Sequence, residues 1–243
     1  MGIYRVDLHV HTIASMDGCS NLNALTRAAA AKGLHAIAIT DHNRCTPCPV
    51  SMNGVLLIPG CEISTRIGHI TGLFLDMPVD FAGLGHLPAP EQAVEAIHAA
   101  GGLAVLAHPF QRPGTNPAKF DGIAFDGIET ANARAALKDP NANRKADYYA
   151  DLRNLPRIGG SDGHHASEVG NAITEIESDD CSLWDLREAV ARGNTVAVLY
   201  KRTKHLEKAR SQWAKAKRSR SIPSLCKGIA YWGYCAALDL LRR

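Results

Sequence analysis

His9-x-His11 puts two imidazoles on one side of an extended segment, because successive side chains of a strand alternate faces. Two ring nitrogens held that way can reach one cation. Asp162-x-His164 repeats the spacing with one oxygen and one nitrogen donor. Further donors occur in Thr40-Asp41-His42-Asn43, Gly60-Cys61-Glu62, His69 and Ala107-His108-Pro109. Mixed His and carboxylate sets suit Zn, Mn or Fe, and a set without Cys argues against a purely structural zinc site. These donors exceed what one tetrahedral ion can use, so a multinuclear site is expected.

Each fragment has a plainer reading when taken alone. Asp after a strand often caps a turn, and Ala-His-Pro fits a core histidine bonded to a backbone carbonyl. Their common position is what separates them from chance. Apolar strands are expected at Tyr4–Val10, His35–Thr40, Val55–Glu62, His69–Leu75, Leu103–His108, Gly127–Glu129, Arg157–Ser161, Ala172–Glu175 and Thr195–Leu199. Nearly every donor falls where one of them stops or starts. Helices are expected at Leu22–Lys32, stopped by Gly33, and at Pro90–Ala100, entered by Pro and left by Gly101-Gly102. Two more are expected at Asn143–Leu155 and Ser182–Arg192. Ala36-Ile37-Ala38-Ile39 and Leu103-Ala104-Val105-Leu106 are apolar throughout, as strands buried on both faces are. Alternating β and α segments of this kind build a (β/α) barrel or an open doubly wound sheet, with ligands at the strand carboxyl ends.

A chain of 243 residues, 46% hydrophobic and 21% charged, suits one large α/β domain. No apolar run approaches the roughly 20 residues that span a bilayer, and the N-terminus lacks a secretory layout, so a cytoplasmic location is expected. The seven Cys are scattered, so no disulfide partner is expected, and Cys45-x-x-Cys48 lies in a Pro-flanked loop without a second such pair. The net charge of +3 conceals a split. Residues 201–243 carry 12 Lys/Arg against 2 Asp/Glu, a net +10, whereas residues 1–200 carry 15 against 22, a net −7. The break divides a body, 1–200, from a basic helical C-terminal extension, 201–243. That extension reads as a Lys/Arg-rich helix, then Ser219-Arg220-Ser221-Ile222-Pro223, then an apolar stretch through Tyr231, Trp232, Tyr234 and Leu238. RNA or an anionic membrane face would suit its charge. A solvated helix followed by a docking helix is the plainer reading.

Residues 4–200 resemble the PHP (polymerase and histidinol phosphatase) superfamily. The resemblance rests on Asp7-Leu8-His9-Val10-His11-Thr12, Ser15-Met16-Asp17-Gly18, Thr40-Asp41-His42-Asn43, Gly60-Cys61-Glu62-Ile63-Ser64, His69-Ile70-Thr71-Gly72-Leu73, Ala107-His108-Pro109 and Gly160-Ser161-Asp162-Gly163-His164, in that order. The Glu-Ile-Ser and His-Ile-x-Gly-Leu pieces are most similar to small stand-alone phosphoesterases of nucleotides or short RNA. The resemblance implies a distorted seven-stranded (β/α) barrel and two or three divalent ions. The first would be held by His9, His11, Glu62 and Asp162, and the second by Asp17, His42 and His164. The third would take His69 and His108, with Glu62 bridging. Met16 adds a residue to the usual Ser-Asp spacing before Asp17.

The expected activity is hydrolysis of a phosphate monoester or diester by a hydroxide bridging two ions. Asp41 is expected to orient His42 or another imidazole, or to cap its turn. Arg112 and Arg134 are expected to grip phosphate. His165 is a proton donor or an exposed residue, and His35, His86, His98 and His205 lie outside the motifs. Histidinol-phosphate or sugar-phosphate hydrolysis, C–N or C–O hydrolysis by a metallo-hydrolase, and a binding module without catalysis are the alternatives.

Overall fold

The computed structural model describes residues 1–241. In chain order the elements are β1 (Gly2–Val10), α1 (Leu22–Ala31), β2 (Ala36–Ile39), β3 (Ser51–Met52), β4 (Val55–Thr65), β5 (Gly68–Leu73), α2 (Phe81–Leu84), α3 (Pro90–Ala99) and β6 (Leu103–Ala107). They continue with β7 (Gly127–Asn132), α4 (Ala135–Lys138), α5 (Ala142–Arg153), β8 (Arg157–Gly160), β9 (Ala172–Ser178), α6 (Leu183–Ala191), β10 (Thr195–Leu199), α7 (His205–Ser219) and α8 (Ile222–Leu240). A 3-10 turn covers Pro117–Phe120. Helix ends follow local chemistry. Asn21 accepts from the Ala24 N–H at the start of α1, and Ser182 accepts from Asp185 at the start of α6. The expected third helix stops earlier than Leu155, because Asn154 turns left-handed after Arg153.

The strands form one curved sheet in the order β10-β9-β1-β2-β4-β5-β6-β7-β8, with β3 added against β4. Its shape is a nearly closed, distorted (β/α) barrel, with nine strands on the path where seven were expected. Pairing is mixed. β1–β2, β2–β4, β6–β7 and β7–β8 are parallel, while β4–β5, β5–β6, β1–β9 and β9–β10 are antiparallel. The β4–β5 hairpin is the reason, since a two-residue connection between Thr65 and Gly68 permits only antiparallel pairing.

The ends of the path meet through side chains. The Thr174 hydroxyl accepts the Gly159 N–H at 2.8 Å and donates to the Gly159 carbonyl at 2.9 Å. Glycine is required there. A Cβ on Gly159 would lie 2.2 Å from the Ile173 carbonyl oxygen, and one on Gly160 would lie 2.4 Å from the His9 Cβ. β8 can therefore press against β9 and β1, which brings Asp162 and His164 to the strand that carries His9.

Inside the curved sheet and under its helices sit fully buried residues such as Leu8, Ile37, Ile39, Ile58, Ile70 and Leu106. The all-apolar β2 and β6 are buried along their whole length, as expected. α7 docks on this body through Glu207, Ala209 and Ser211, all buried. α8 packs on α7 with Gly228 against Trp213. This reverses the expected order, because the Lys/Arg-rich helix docks and the apolar helix lies outside.

Candidate metal centre

Local geometry accounts for the convergence. The pleat points His9 and His11 the same way, and an isolated parallel bridge pairs Val10 with Gly163. The Gly163 carbonyl accepts the His11 N–H at 2.8 Å, which sets Asp162 and His164 beside the two imidazoles. Glu62 does not end its strand. β4 runs on to Thr65, and Glu62 pairs with Thr71, so His69 is its diagonal neighbour across the hairpin. His42 bridges to Glu62 from the other side. His108, directly after β6, and Asp162, two residues past the end of β8, both adopt positive φ, 28° and 52°. Non-glycine residues held there are strained, and strain of this kind concentrates at functional sites.

The nine expected donors meet in one cluster. The Glu62 oxygens lie 3.5 Å from His9 Nε2, 3.5 Å from His11 Nε2, 2.8 Å from His42 Nδ1, 2.9 Å from His69 Nδ1 and 3.0 Å from His108 Nε2. Asp162 Oδ1 lies 3.4 Å from His11 Nε2. Asp17, despite its shifted spacing, reaches His164 Nε2 at 3.4 Å and His42 Nε2 at 3.8 Å. Donor atoms within 4.8 Å of one another form the groups His9/His11/Asp162, His11/His42/His164, His9/Glu62/His108 and His42/Glu62/His69. The last joins two histidines that the resemblance assigns to different ions.

This packing makes poor sense as a hydrogen-bond network. His9 Nε2 and His11 Nε2 face one another at 3.1 Å. Asp17 Oδ1, His42 Nδ1, Glu62 Oε2 and His69 Nδ1 are buried without a hydrogen-bond partner, even though His42 Nδ1 and Glu62 Oε2 are 2.8 Å apart. Lone pairs aimed at common points rather than at each other fit cations placed between them. Burial opposes charge on His9, yet Glu129, Glu62 and Asp162 raise its pKa well above the ordinary value. Burial would raise Glu62, but His69, His42 and His9 hold it well below the carboxylate range.

Supporting residues divide into those foreseen and those missed. Asp41 touches no imidazole. It accepts from Thr12 N (2.8 Å), Thr12 Oγ1 (2.7 Å), Ser15 Oγ (2.6 Å) and Thr46 Oγ1 (2.5 Å), and Ser15 in turn meets His11 Nδ1 at 3.3 Å and accepts the His42 N–H. Burial alone would raise the Asp41 pKa, and the three hydroxyls lower it instead. Its influence on the imidazoles therefore passes through Ser15. Arg134 is not free for a substrate, being buried with both Glu168 oxygens at 2.9 and 3.0 Å and Ser211 of α7 at 3.0 Å. Arg112 stands exposed on the rim of a cleft of about 400 Å³ that His69, His108, Gln111 and Thr115 also line.

Glu129 was missed. It ends no turn and sits inside β7, yet the signal was present, since it is an acid on a fully buried strand. Its Oε1 lies 3.1 Å from His9 Nδ1. Asp7 was quoted in the first motif without a role. It accepts the backbone N–H groups of Ser161, Gly170 and His9, while burial pushes its pKa up to about 6. His165 turns to Ser167 at 2.9 Å, outside the cluster. His35 accepts from Arg5, His98 pairs with Asp126 and His205 with Asp239, each away from the centre. Cys45 and Cys48 pack into different apolar clusters, and all seven cysteines are free. No helix among the described residues is long and apolar enough to cross a membrane.

Residues 7–105 match the PHP domain family, and residues 140–195 match the PHP-associated family. An uncharacterized protein of Methanocaldococcus jannaschii is 32% identical over 180 residues, covering 71% of this chain and 70% of its own. The chain belongs to the PHP family. A probable phosphatase of Edwardsiella ictaluri is 29% identical over 204 residues, with 70% of this chain and 82% of the relative covered. Among solved structures, this PHP chain superposes with TM-score 0.63 and 25% identity on a two-domain protein of Bacteroides vulgatus containing a predicted PHP-like metal-dependent phosphoesterase. That match covers 82% of this chain and 65% of that one.

Proposed function

We propose that this PHP protein, a phosphoric ester hydrolase, cleaves a phosphate monoester or diester of a nucleotide or short oligonucleotide at two or three divalent ions. The observation that carries this reading is Glu62, whose buried carboxylate has five imidazole nitrogens within 3.5 Å, which among the described residues meet no other carboxylate but Asp162, Asp17 and Glu129. His9, His11, Glu62 and Asp162 would hold one ion, Asp17, His42 and His164 a second, and His69, His108 and Glu62 a third. Mn, Zn and Fe all suit this donor set. Such ions supply Lewis acidity that brings the pKa of water to around 7 and neutralises phosphoryl oxygens.

The chain's own residues do the remaining work. Glu129 fixes the His9 ring so that Nε2 faces the centre. Ser15, held by Asp41, does the same for His11. Arg112 at the cleft rim offers a planar fork to a phosphate that does not react. A cleft of about 400 Å³ is within the range that accepts a nucleotide-sized ligand.

The test strips the full chain with chelator, reloads it with Mn, Zn or Fe, and counts bound ions. The reloaded enzyme is then assayed on p-nitrophenyl phosphate, nucleoside bisphosphates, short oligonucleotides, histidinol phosphate, sugar phosphates, amides and lactones. Turnover of nucleotides above the other phosphates supports the proposal. Preference for histidinol or sugar phosphate overturns the substrate class, and turnover of amides or lactones alone overturns the reaction.

A further inference from the structure

α8 carries an outer face made only of apolar and small residues. Ile222, Cys226, Ile229, Gly233, Ala237 and Leu240 recur at steps of four, three, four, four and three, which is one stripe of a helix, and all six are exposed. Ile222, Ile229 and Leu240 are 75%, 64% and 67% exposed, and Tyr234 beside them is 60% exposed. An apolar stripe this continuous marks a surface that is covered in use.

The charges around it say by what. The two acids of the extension are both turned inward. Asp239 accepts from His205 Nδ1 at 2.9 Å and from the N–H groups of His205 and Leu206, while Glu207 accepts from Ser167 Oγ and Lys204 N. Arg210, Lys215, Lys217 and Lys227 are left exposed on either side of α8, whereas Lys208 is half-buried and Arg218 is tied to the loop around Asp17. Lys208, Lys215 and Lys227 line a groove between α7 and α8 along one flank, and Arg210, Lys217 and Arg218 line a second hollow beside Trp232 along the other. A second copy of the chain would bring two segments of net +10 together. RNA would use the cations and leave the apolar stripe wet.

We infer that α8 is an in-plane docking helix for a bilayer surface rich in anionic phospholipid. The stripe enters the acyl boundary, and the flanking lysines and arginines meet lipid phosphates. The helix is not long and apolar enough to cross, so it lies on the surface. The inference is independent of what the metal centre hydrolyses.

Flotation of the full chain with vesicles decides it. Vesicles of phosphatidylcholine containing phosphatidylglycerol are expected to carry the protein up, and pure phosphatidylcholine to carry at least ~10-fold less. High salt is expected to weaken the binding. Ile229→Glu with Leu240→Glu, and separately Lys215→Glu with Lys227→Glu, are each expected to lower partitioning at least ~10-fold. These four side chains are exposed on the extension and touch none of the candidate donors, so hydrolysis of p-nitrophenyl phosphate in solution should stay unchanged, which shows that the variants fold. Equal flotation with both vesicle types overturns the inference. So does a dimer that light scattering shows to depend on Ile229 and Leu240 without any flotation. Binding of an RNA oligonucleotide in the absence of flotation overturns it as well.

Discussion

Glu129 Oε1 meets His9 Nδ1 at 3.1 Å, and its other oxygen accepts the His108 backbone N–H at 2.9 Å and the Asn132 amide at 2.9 Å. One buried carboxylate thus orients a ring on β1 and fixes the strained turn after β6. Glu129→Gln keeps the shape and removes the charge that selects the His9 tautomer. Metal affinity is expected to fall about 10- to 100-fold, read by titrating metal-free protein with Mn or Zn. Unchanged affinity would show that Glu129 only packs.

Arg134 gives a different prediction. Arg134→Ala leaves Glu168 buried and uncompensated, which costs about 3–5 kcal/mol of stability when such a pair is broken. Denaturant unfolding should show that loss. The KM of whatever protein remains folded should be near normal. A raised KM with intact stability would restore the substrate-gripping role.

Arg218, near the end of α7, donates from one guanidinium nitrogen to the carbonyls of Ser15 (3.0 Å), Met16 (2.8 Å) and Gly18 (2.9 Å). These three residues bracket Asp17, in a loop that Gly18 folds so tightly that a Cβ there would lie 1.7 Å from the Thr12 carbonyl oxygen. Arg218→Ala is expected to raise the ion concentration needed for half activity about tenfold with little change in KM. Ion counts per chain in the variant check that the site containing Asp17 is the one emptied.

The metal-free protein should respond to pH through His42. Burial disfavours its charged form, but Glu62 and Asp17 outweigh that and its pKa is pushed up to about 9. A histidine raised in the folded state stabilises fully below its ordinary value of 6.5 and loses that contribution as pH climbs through about 9. The Tm of metal-free protein is therefore expected to fall from pH 6.5 to 9, and His42→Gln to flatten the slope. Ion affinity should rise over the same window, because each ion must displace the proton.

Arg112→Ala tests the cleft. A side chain that grips a phosphate which does not react contributes to binding before and during the reaction. KM should rise about 10-fold with kcat nearly unchanged. The effect should shrink for p-nitrophenyl phosphate, which has no second phosphate to grip.

The cluster of candidate donors was legible in the sequence because its geometry is local. The pleat of a strand fixes His9 against His11, and a buried strand followed by a polar residue exposes that residue at the sheet's edge, as at His42, His108 and Asp162. The family motifs added Asp17, where spacing alone was ambiguous. The β4–β5 hairpin was not legible, since Val55–Glu62 and His69–Leu75 look alike whether they pair parallel or antiparallel. It moved Glu62 from a strand end to the middle of a ladder.

Which residues the chain offers as candidate ion donors, and at what spacing, was written in one dimension, because backbone periodicity alone decides which neighbours share a face. Who pairs with whom was settled only in three. Arg134 became a buried strut, Asp41 acted through Ser15, and Glu129 took charge of His9 because partners 34, 26 and 120 residues away arrived beside them. Charge and hydrogen-bond partners depend on distance in space, and no local pattern carries that distance. The same holds for the extension, whose composition announced two helices while packing alone chose the basic one to dock and turned the apolar one outward.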